Sequence, residues 1–442
     1  MALEAGIQEK LESVLMPIAQ KMSKQRHLGA MRDGMMLAIP VTVIGGFSMI
    51  LAKPPIDANM QATNFFAAFL VAWKTWANAN TDVLMLPYSM TIGIISVHIT
   101  LGISYSLAKS YDMDPISNAV SALSVLVIGT AQSVALEKGS VYTFGGLGAS
   151  SMFFAIVSSL LVVELNRLFK VKNITIKMPD VVPPMVSNAF SILIPFAANT
   201  ILWLLLGVAC KAATGVTLAS LIALVLSPLV SAVNSLPGIL FIIVFIDILW
   251  FFGIHPAGVV NPVMAPLLTS GVVSNAEAYA AGQPMPYILA GNVYSIYGRW
   301  TALLALCVLS LFVAKSAQLR GIAKVAIIPS IFDINEPQTF GIPLMFNVTM
   351  LIPQIICDVI NFVLAYALMS VGLVGRFYIS IPAFMPVPLA AFLSAMDWRA
   401  LVLWVVEFLL DMAIILPFYK TLDKQMLEAE SEAAKASAEA GE

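Results

Sequence analysis

Charge is what this sequence has least of. Only 11% of its 442 residues are Asp, Glu, Lys or Arg, too few to solvate the outside of a soluble protein of this length. Histidine and cysteine are scarcer, three of each. Cys210, Cys307 and Cys357 stand in apolar surroundings without metal-ligand spacing, so neither a disulfide framework nor a metal centre is expected. There is no phosphate-binding loop or nucleotide motif. The glycine-rich stretch FGGLG, 144–148, has no strand before it, so it reads as a re-entering or tightly packed turn. No cofactor is implied. No basic patch is large enough for nucleic acid, and the net charge of −2 says nothing on that point. The first 26 residues are charged and lack a signal-type apolar core and cleavage site, so insertion is expected to rely on the first span.

Apolar surface is what the chain has in excess. Hydrophobic residues make up 60% and the mean hydropathy is +0.91. The fold class that follows is an all-α polytopic membrane protein. Residues 1–26 carry apolar positions at helical spacing (Ile7, Leu11, Val14, Leu15, Ile18, Met22) between basic flanks, which suits an amphipathic interfacial helix, an ordinary soluble helix being the alternative. Spans are expected at 28–52, 83–108, 115–136, 151–168 and 190–209. Arg32 and Asp33 would pair or snorkel at the start of the first. Trp73 and Trp76 suit an aromatic belt on the outer face. His98, inside the second, is expected to make an interhelical hydrogen bond, with a ligand role as the alternative. Arg167, Lys170, Lys172 and Lys177, followed by Pro179, Pro183 and Pro184, mark a cytoplasmic boundary between membrane halves at 27–185 and 186–420.

The second half reads differently. Its apolar segments are broken by Asn234, Pro237 and Gly238, then by Gly253, Pro256, Gly258, Asn261 and Pro262. A long helix is expected at 287–314, containing Asn292 and Arg299. A basic loop follows with Lys315, Arg320 and Lys324, then segments at 347–370, 378–396 and 400–419. The tail, 421–442, is expected to be a cytoplasmic soluble helix or disordered. Short broken helices present backbone dipoles to a substrate near the bilayer midplane. Binding is therefore assigned to the second half, and scaffolding or subunit contact to the first.

Two breaks carry chemistry. In FDINEPQTFG, 332–341, the polar pair Asn335–Glu336 is flanked by Pro329, Pro337 and Pro343, which interrupt any helix. A carboxylate at bilayer depth costs about 2.5–3.5 kcal/mol, and irregular backbone survives there only beside protein or a watery cavity. The stretch is thus either a re-entrant hairpin presenting its acid to a polar ligand or a surface loop. In WFFGIHPAG, 250–258, His255 both donates and accepts, which suits a hydroxyl-rich ligand; a packing histidine is the alternative. A carboxylate beside a sugar hydroxyl can orient it, take its proton during attack on a phosphoryl donor, or carry a coupling proton in an ion-driven carrier. Asp247, Asp358, Glu407 and Asp411 are the other intramembrane acids, expected to be mostly paired, with Asp358 and Asn361 singled out together.

IFDINEPQTFGIP (331–343), WFFGIHPAG, IKMPDVVPPMVSNAF (176–190) and MRDGM ahead of the first span together resemble the membrane IIC subunits of the bacterial phosphotransferase system, in particular the lactose, cellobiose and diacetylchitobiose group. The resemblance implies a homodimer of about ten spans with re-entrant hairpins in the C-terminal half. It places the dimer contact in the first half and the sugar site in the second. Glu336 would contact the hydroxyl that is phosphorylated, with His255 beside it and Asn335 and Asn292 as further sugar contacts. It implies an inner-membrane protein with both termini cytoplasmic, a β-linked disaccharide as cargo, and separate partners: a IIB protein carrying a phosphocysteine and, through it, IIA. An ion-coupled secondary sugar transporter is the rival reading. The chain departs from the family in three places. Ala383 stands at the apparent Trp position of IPAFMPVP (381–388) with Phe384 next to it, AGNVYSIYG (290–298) replaces a Gly-Gly-x-Gly stretch, and Pro256 follows the histidine.

Overall fold

The structure is a computed structural model that describes residues 25–54, 62, 65–130, 132–136, 139–143, 146–179, 181–256, 259–381 and 385–440. For a few of these, Glu336 among them, the description stops at the backbone. The expected interfacial helix, residues 144–145 of the glycine-rich stretch, and Ala383 and Phe384 lie outside the described residues.

The chain is helical because apolar surroundings leave no water to satisfy backbone groups, so each segment bonds to itself. Its first part comprises α1 (Arg26–Ala52), α2 (Phe65–Ala79), the short α3 (Thr81–Leu84) and α4 (Leu86–Ser89), α5 (Ile95–Ser110) and α6 (Pro115–Thr130). A two-stranded antiparallel hairpin follows, β1 (Gln132–Leu136) with β2 (Gly139–Thr143), then α7 (Met152–Val171), α8 (Pro184–Ser191) and α9 (Leu193–Thr214). The remainder runs α10 (Leu218–Asn234), α11 (Leu236–Phe251), α12 (Asn261–Ala280), α13 (Val293–Ile296), α14 (Arg299–Phe312), α15 (Ala317–Ile331), α16 (Glu336–Gly341), α17 (Val348–Ser370), α18 (Val387–Ala395) and α19 (Trp398–Ala440).

Among the described residues, seven helical runs are long and apolar enough to cross a bilayer: Arg26–Ala52, Thr81–Ser110, Ala149–Val171, Met185–Thr214, Val293–Phe312, Val348–Ser370 and Trp398–Glu432. Three shorter apolar helices, Pro115–Thr130, Leu218–Pro228 and Leu236–Phe251, accompany them. Several boundaries differ from the sequence expectation. The third span stops at Thr130 and residues 132–136 are a strand. Residues 287–292 are not helical, since Gly291 turns the chain at φ 56 before α13. Among the described residues of 378–396 only 387–395 is helix; Pro386, at φ −51 and ψ 123, stands outside the helical conformation just before it. The tail continues α19 without a break to Ala440. His98 reaches the carbonyl of Ile94, 3.3 Å away in its own helical run, and among the described residues it bonds to no neighbouring helix.

By packing, the described chain forms two units, and this division falls further along than the composition shift at 164–184. One comprises the described part of Pro17–Ser231 with Ala257–Pro286; the other comprises Ala232–Pro256 with Tyr287–Glu442. In the first, α1 and α5 approach so closely that a Cβ on Gly102 would lie 2.9 Å from the backbone of Gly34, the small-residue contact that lets apolar helices pack without a hydrophobic driving force. Asn166 Nδ2 donates to Asn118 Oδ1 (2.9 Å) and Asn199 Nδ2 to Asn166 Oδ1 (2.8 Å), tying α6, α7 and α9 together. Arg32 pairs with Asp33 (2.8 Å). α12 belongs to this unit: Tyr279 Oη donates to the Lys53 carbonyl and Ala149 N–H to Glu277.

The second unit is built around α14, whose residues 301–307 are all buried. Ala302, Leu303, Leu306 and Leu309 pack with Met350 and Cys357 of α17 and with Ile415 and Tyr419 of α19. Asp423 and Glu430 of α19 accept the backbone N–H groups of Lys315, Ser316, Ala317 and Gln318, the free donors at the start of α15.

Candidate functional site

The two breaks singled out in the sequence are built alike. At the end of α11 the Ile254 N–H donates to the Leu249 carbonyl (2.9 Å) and the Gly253 N–H to Trp250 (3.0 Å), with Gly253 at φ 69. At the end of α15 the Ile334 N–H donates to Pro329 (3.0 Å) and the Asp333 N–H to Ser330 (3.2 Å), with Asp333 at φ 62. Both are Schellman caps with a left-handed residue just past the helix. The matching sequences are Phe252-Gly253-Ile254-His255 and Phe332-Asp333-Ile334-Asn335. His255 and Asn335 therefore leave their helices at equivalent positions, and Glu336 follows as the first residue of α16.

The two turns belong to one assembly within the second unit. The Phe346 N–H, in the connection after α16, donates to the Phe251 carbonyl (2.9 Å). Phe346 also makes edge contacts with Phe251 and Phe252, with centroids 5.9 and 6.0 Å apart. A Cβ on Gly253 would meet Met345 Sδ at 3.0 Å, so the small, left-handed residue suits this turn twice over.

The four expected site residues fare differently. His255 is exposed, and its ring lies 4.7 Å from that of Trp250. Asn335 is buried and partly committed to its own turn: it donates to Asp333 Oδ1 (3.0 Å) and accepts from Gln338 Nε2 (2.8 Å), which leaves one amide hydrogen. Glu336 opens a six-residue helix whose proline at the second position sets the turn; its side chain lies outside what is described. Asn292 is half-buried just before α13 and holds that turn through its carbonyl, which accepts from Ser295 and Ile296. Tyr294, two residues on, lies within electrostatic reach of Asp333.

Behind the turns lies a polar centre that the sequence reasoning did not assemble. Arg299 Nη1 bonds Asp247 Oδ1 at 3.1 Å, and the guanidinium stands 4.9 Å over the Trp250 ring. Asp247 and Asp358 are within side-chain hydrogen-bonding reach of each other, and Gln354 Nε2 donates to Asp358 (2.9 Å). Asn361 donates to Asp411 (2.9 and 3.0 Å) and not to Asp358, a correction to the pairing singled out from sequence. Asp247, Asp358, Glu407 and Asp411 are all buried. The signal that would have found the pair was present. Arg299 is the only basic residue in 287–314, and a cation in an apolar helix needs an acid across from it.

Asp247, Trp250, Arg299, Thr339 and Gln354 line a cavity of about 30 Å³, room for about two waters. Arg299 Nε is buried there without a partner among the described residues. In this conformation the centre can orient hydroxyl groups and hold charge, but it is too small to enclose a sugar. No group of His, Cys, Asp and Glu able to hold a metal occurs among the described residues.

Seven apolar helices of spanning length and a polar centre buried among such helices define a polytopic helical membrane protein with an internal site. The chain belongs to the phosphotransferase system EIIC family, whose model matches residues 32–357. It is 30% identical over 436 residues to the oligo-beta-mannoside-specific EIIC component of Bacillus subtilis, with 96% of each chain covered. It is 31% identical over 442 residues to the lichenan permease IIC component of the same organism, again with 96% of each covered. Among solved structures it is similar to the transporter ChbC, the IIC component of an N,N′-diacetylchitobiose-specific phosphotransferase system. The TM-score is 0.83 and the identity 29%, covering 95% of this chain and 99% of that one.

Proposed function

We propose that this chain binds an extracellular β-linked disaccharide, of the cellobiose, chitobiose or lactose kind, carries it across the cytoplasmic membrane and presents one hydroxyl for phosphorylation by a phospho-IIB partner. The observation that carries this reading is the joining of the Gly-Ile-His and Asn-Glu-Pro turns by the Phe346–Phe251 hydrogen bond (2.9 Å) in one helical unit. Glu336 orients the sugar hydroxyl and takes its proton as the new O–P bond forms; the S–P bond to the phosphocysteine of IIB breaks. His255 holds a neighbouring hydroxyl, and Asn335 and Asn292 frame the site. The chain's main contribution is orientation, which removes entropy from the transfer step. IIA recharges IIB, the permease works as a homodimer through its first half, and both termini face the cytoplasm, as the basic loops at 167–177 and 315–324 favour.

The buried row Asp247, Asp358, Asp411 and Glu407 favours one rival, an ion-coupled carrier. Membrane vesicles containing the chain separate the two. Uptake of labelled disaccharide driven by phosphoenolpyruvate and the soluble phosphotransferase proteins, with the product recovered as sugar phosphate, is expected. Uptake of unmodified sugar driven by a proton gradient alone would replace this reading with the rival.

A further inference from the structure

Five groups form a line through the second unit. Asp358 lies against Asp247; Asp247 bonds Arg299; Arg299 covers one face of the Trp250 indole; and Trp250 touches the imidazole of His255. Asp247 and Trp250 are three residues apart on α11, hence on one face of the helix, so a single planar side chain from α14 reaches both. Trp250 holds His255 in two ways: its carbonyl accepts the Gly253 N–H that closes the cap, and its ring lies 4.7 Å from the imidazole. Trp250 also lines the cavity into which Thr339 of α16 faces, one turn beyond Glu336.

We propose that Arg299 is the positioning residue of the sugar site: pinned by Asp247, it braces the Trp250 indole, and the indole sets the direction of His255. The proposal rests on the sugar-site reading above and adds to it a residue that does not touch the sugar. Its logic is one of conformers. A histidine side chain has several staggered orientations, and a ligand that needs one of them binds more weakly in proportion to the time spent in the others. An arginine suits the task better than a lysine. Its flat guanidinium bonds a carboxylate edge-on while its face lies on an aromatic ring, whereas an ammonium is a point charge that does one or the other.

The test is a double-mutant cycle on the purified full chain. Binding is measured by calorimetry with whichever of cellobiose, lactose, β-mannobiose and N,N′-diacetylchitobiose the unaltered protein binds most tightly. Arg299→Lys is expected to raise Kd about tenfold when His255 is present and less than about twofold in the His255→Ala background, because the two residues act as one unit. Thermal midpoints should stay within about 3 °C of the unaltered protein, as a change in orientation without loss of packing requires. Should Arg299→Lys fail to fold, the pair Asp247→Asn with Arg299→Gln removes both charges together and is read in the same two backgrounds. Equal weakening in both backgrounds, or none in either, would overturn the positioning role while leaving the sugar site in place. If His255→Ala leaves binding unchanged, or if none of the four sugars binds, the sugar-site reading fails and the positioning role falls with it.

Discussion

Asp247 and Arg299 show how a single pair governs its surroundings. Their side chains are 0% and 14% exposed. A buried carboxylate left alone has no water to turn to, so Arg299→Gln is expected to cost about 3–5 kcal/mol, whereas Arg299→Gln with Asp247→Asn should cost much less. Thermal unfolding in detergent measures the difference, and equal losses in the single and double variants would mean that the charges do not support each other. At this scale the sequence was half legible. Glu336 and His255 stood out because each interrupts an apolar segment beside glycine or proline. The Asp247–Arg299 pair did not, because its members lie 52 residues apart and no local pattern joins them. Trp250 is marked out only by the guanidinium above it, which no local pattern records.

The elements that matter most are the ends of helices. α11 and α15 finish in the same left-handed cap, yet one uses glycine and the other aspartate, so the likeness is hidden in the sequence and plain in the backbone. Aspartate tolerates a positive φ and also accepts a hydrogen bond from Asn335. Asp333→Gly should keep the turn and lose the bond to Asn335, about 1 kcal/mol. Asp333→Val should lose the bond and add about 1–2 kcal/mol of backbone strain, with disaccharide binding falling in step. Matching stabilities for the two variants would show that the turn does not depend on its left-handed residue. Long helices were readable because twenty apolar residues leave the chain little choice. The short pieces were misread where breaks crowd together. The segment 378–396 is helical only at 387–395 among the described residues, and 132–136 pairs with 139–143 as two strands, since an apolar run of a few residues has no periodicity to tell strand from helix.

At the scale of the whole molecule, the all-α membrane class followed directly from missing charge, while the packing of the units did not. α12 comes from the second half of the sequence and packs with the first, a long-range choice that composition does not record. The cavity beside Arg299, about 30 Å³, falls well short of the roughly 300 Å³ or more of an ordinary ligand pocket. A sugar bound at the proposed site would need more space around the two turns than this conformation offers. Hydrogen exchange is expected to show faster exchange at 251–256 and 342–347 without sugar and protection with it; no change at either segment would place the sugar elsewhere. The most direct measurement is transfer of label from phospho-IIB to disaccharide by membranes carrying the unaltered chain or Glu336→Gln. Loss of about 10²–10⁴-fold in rate, with sugar binding reduced far less, is the predicted result. Transfer at the unaltered rate would contradict the account, because a hydroxyl that needs no carboxylate to orient it has no need of this turn.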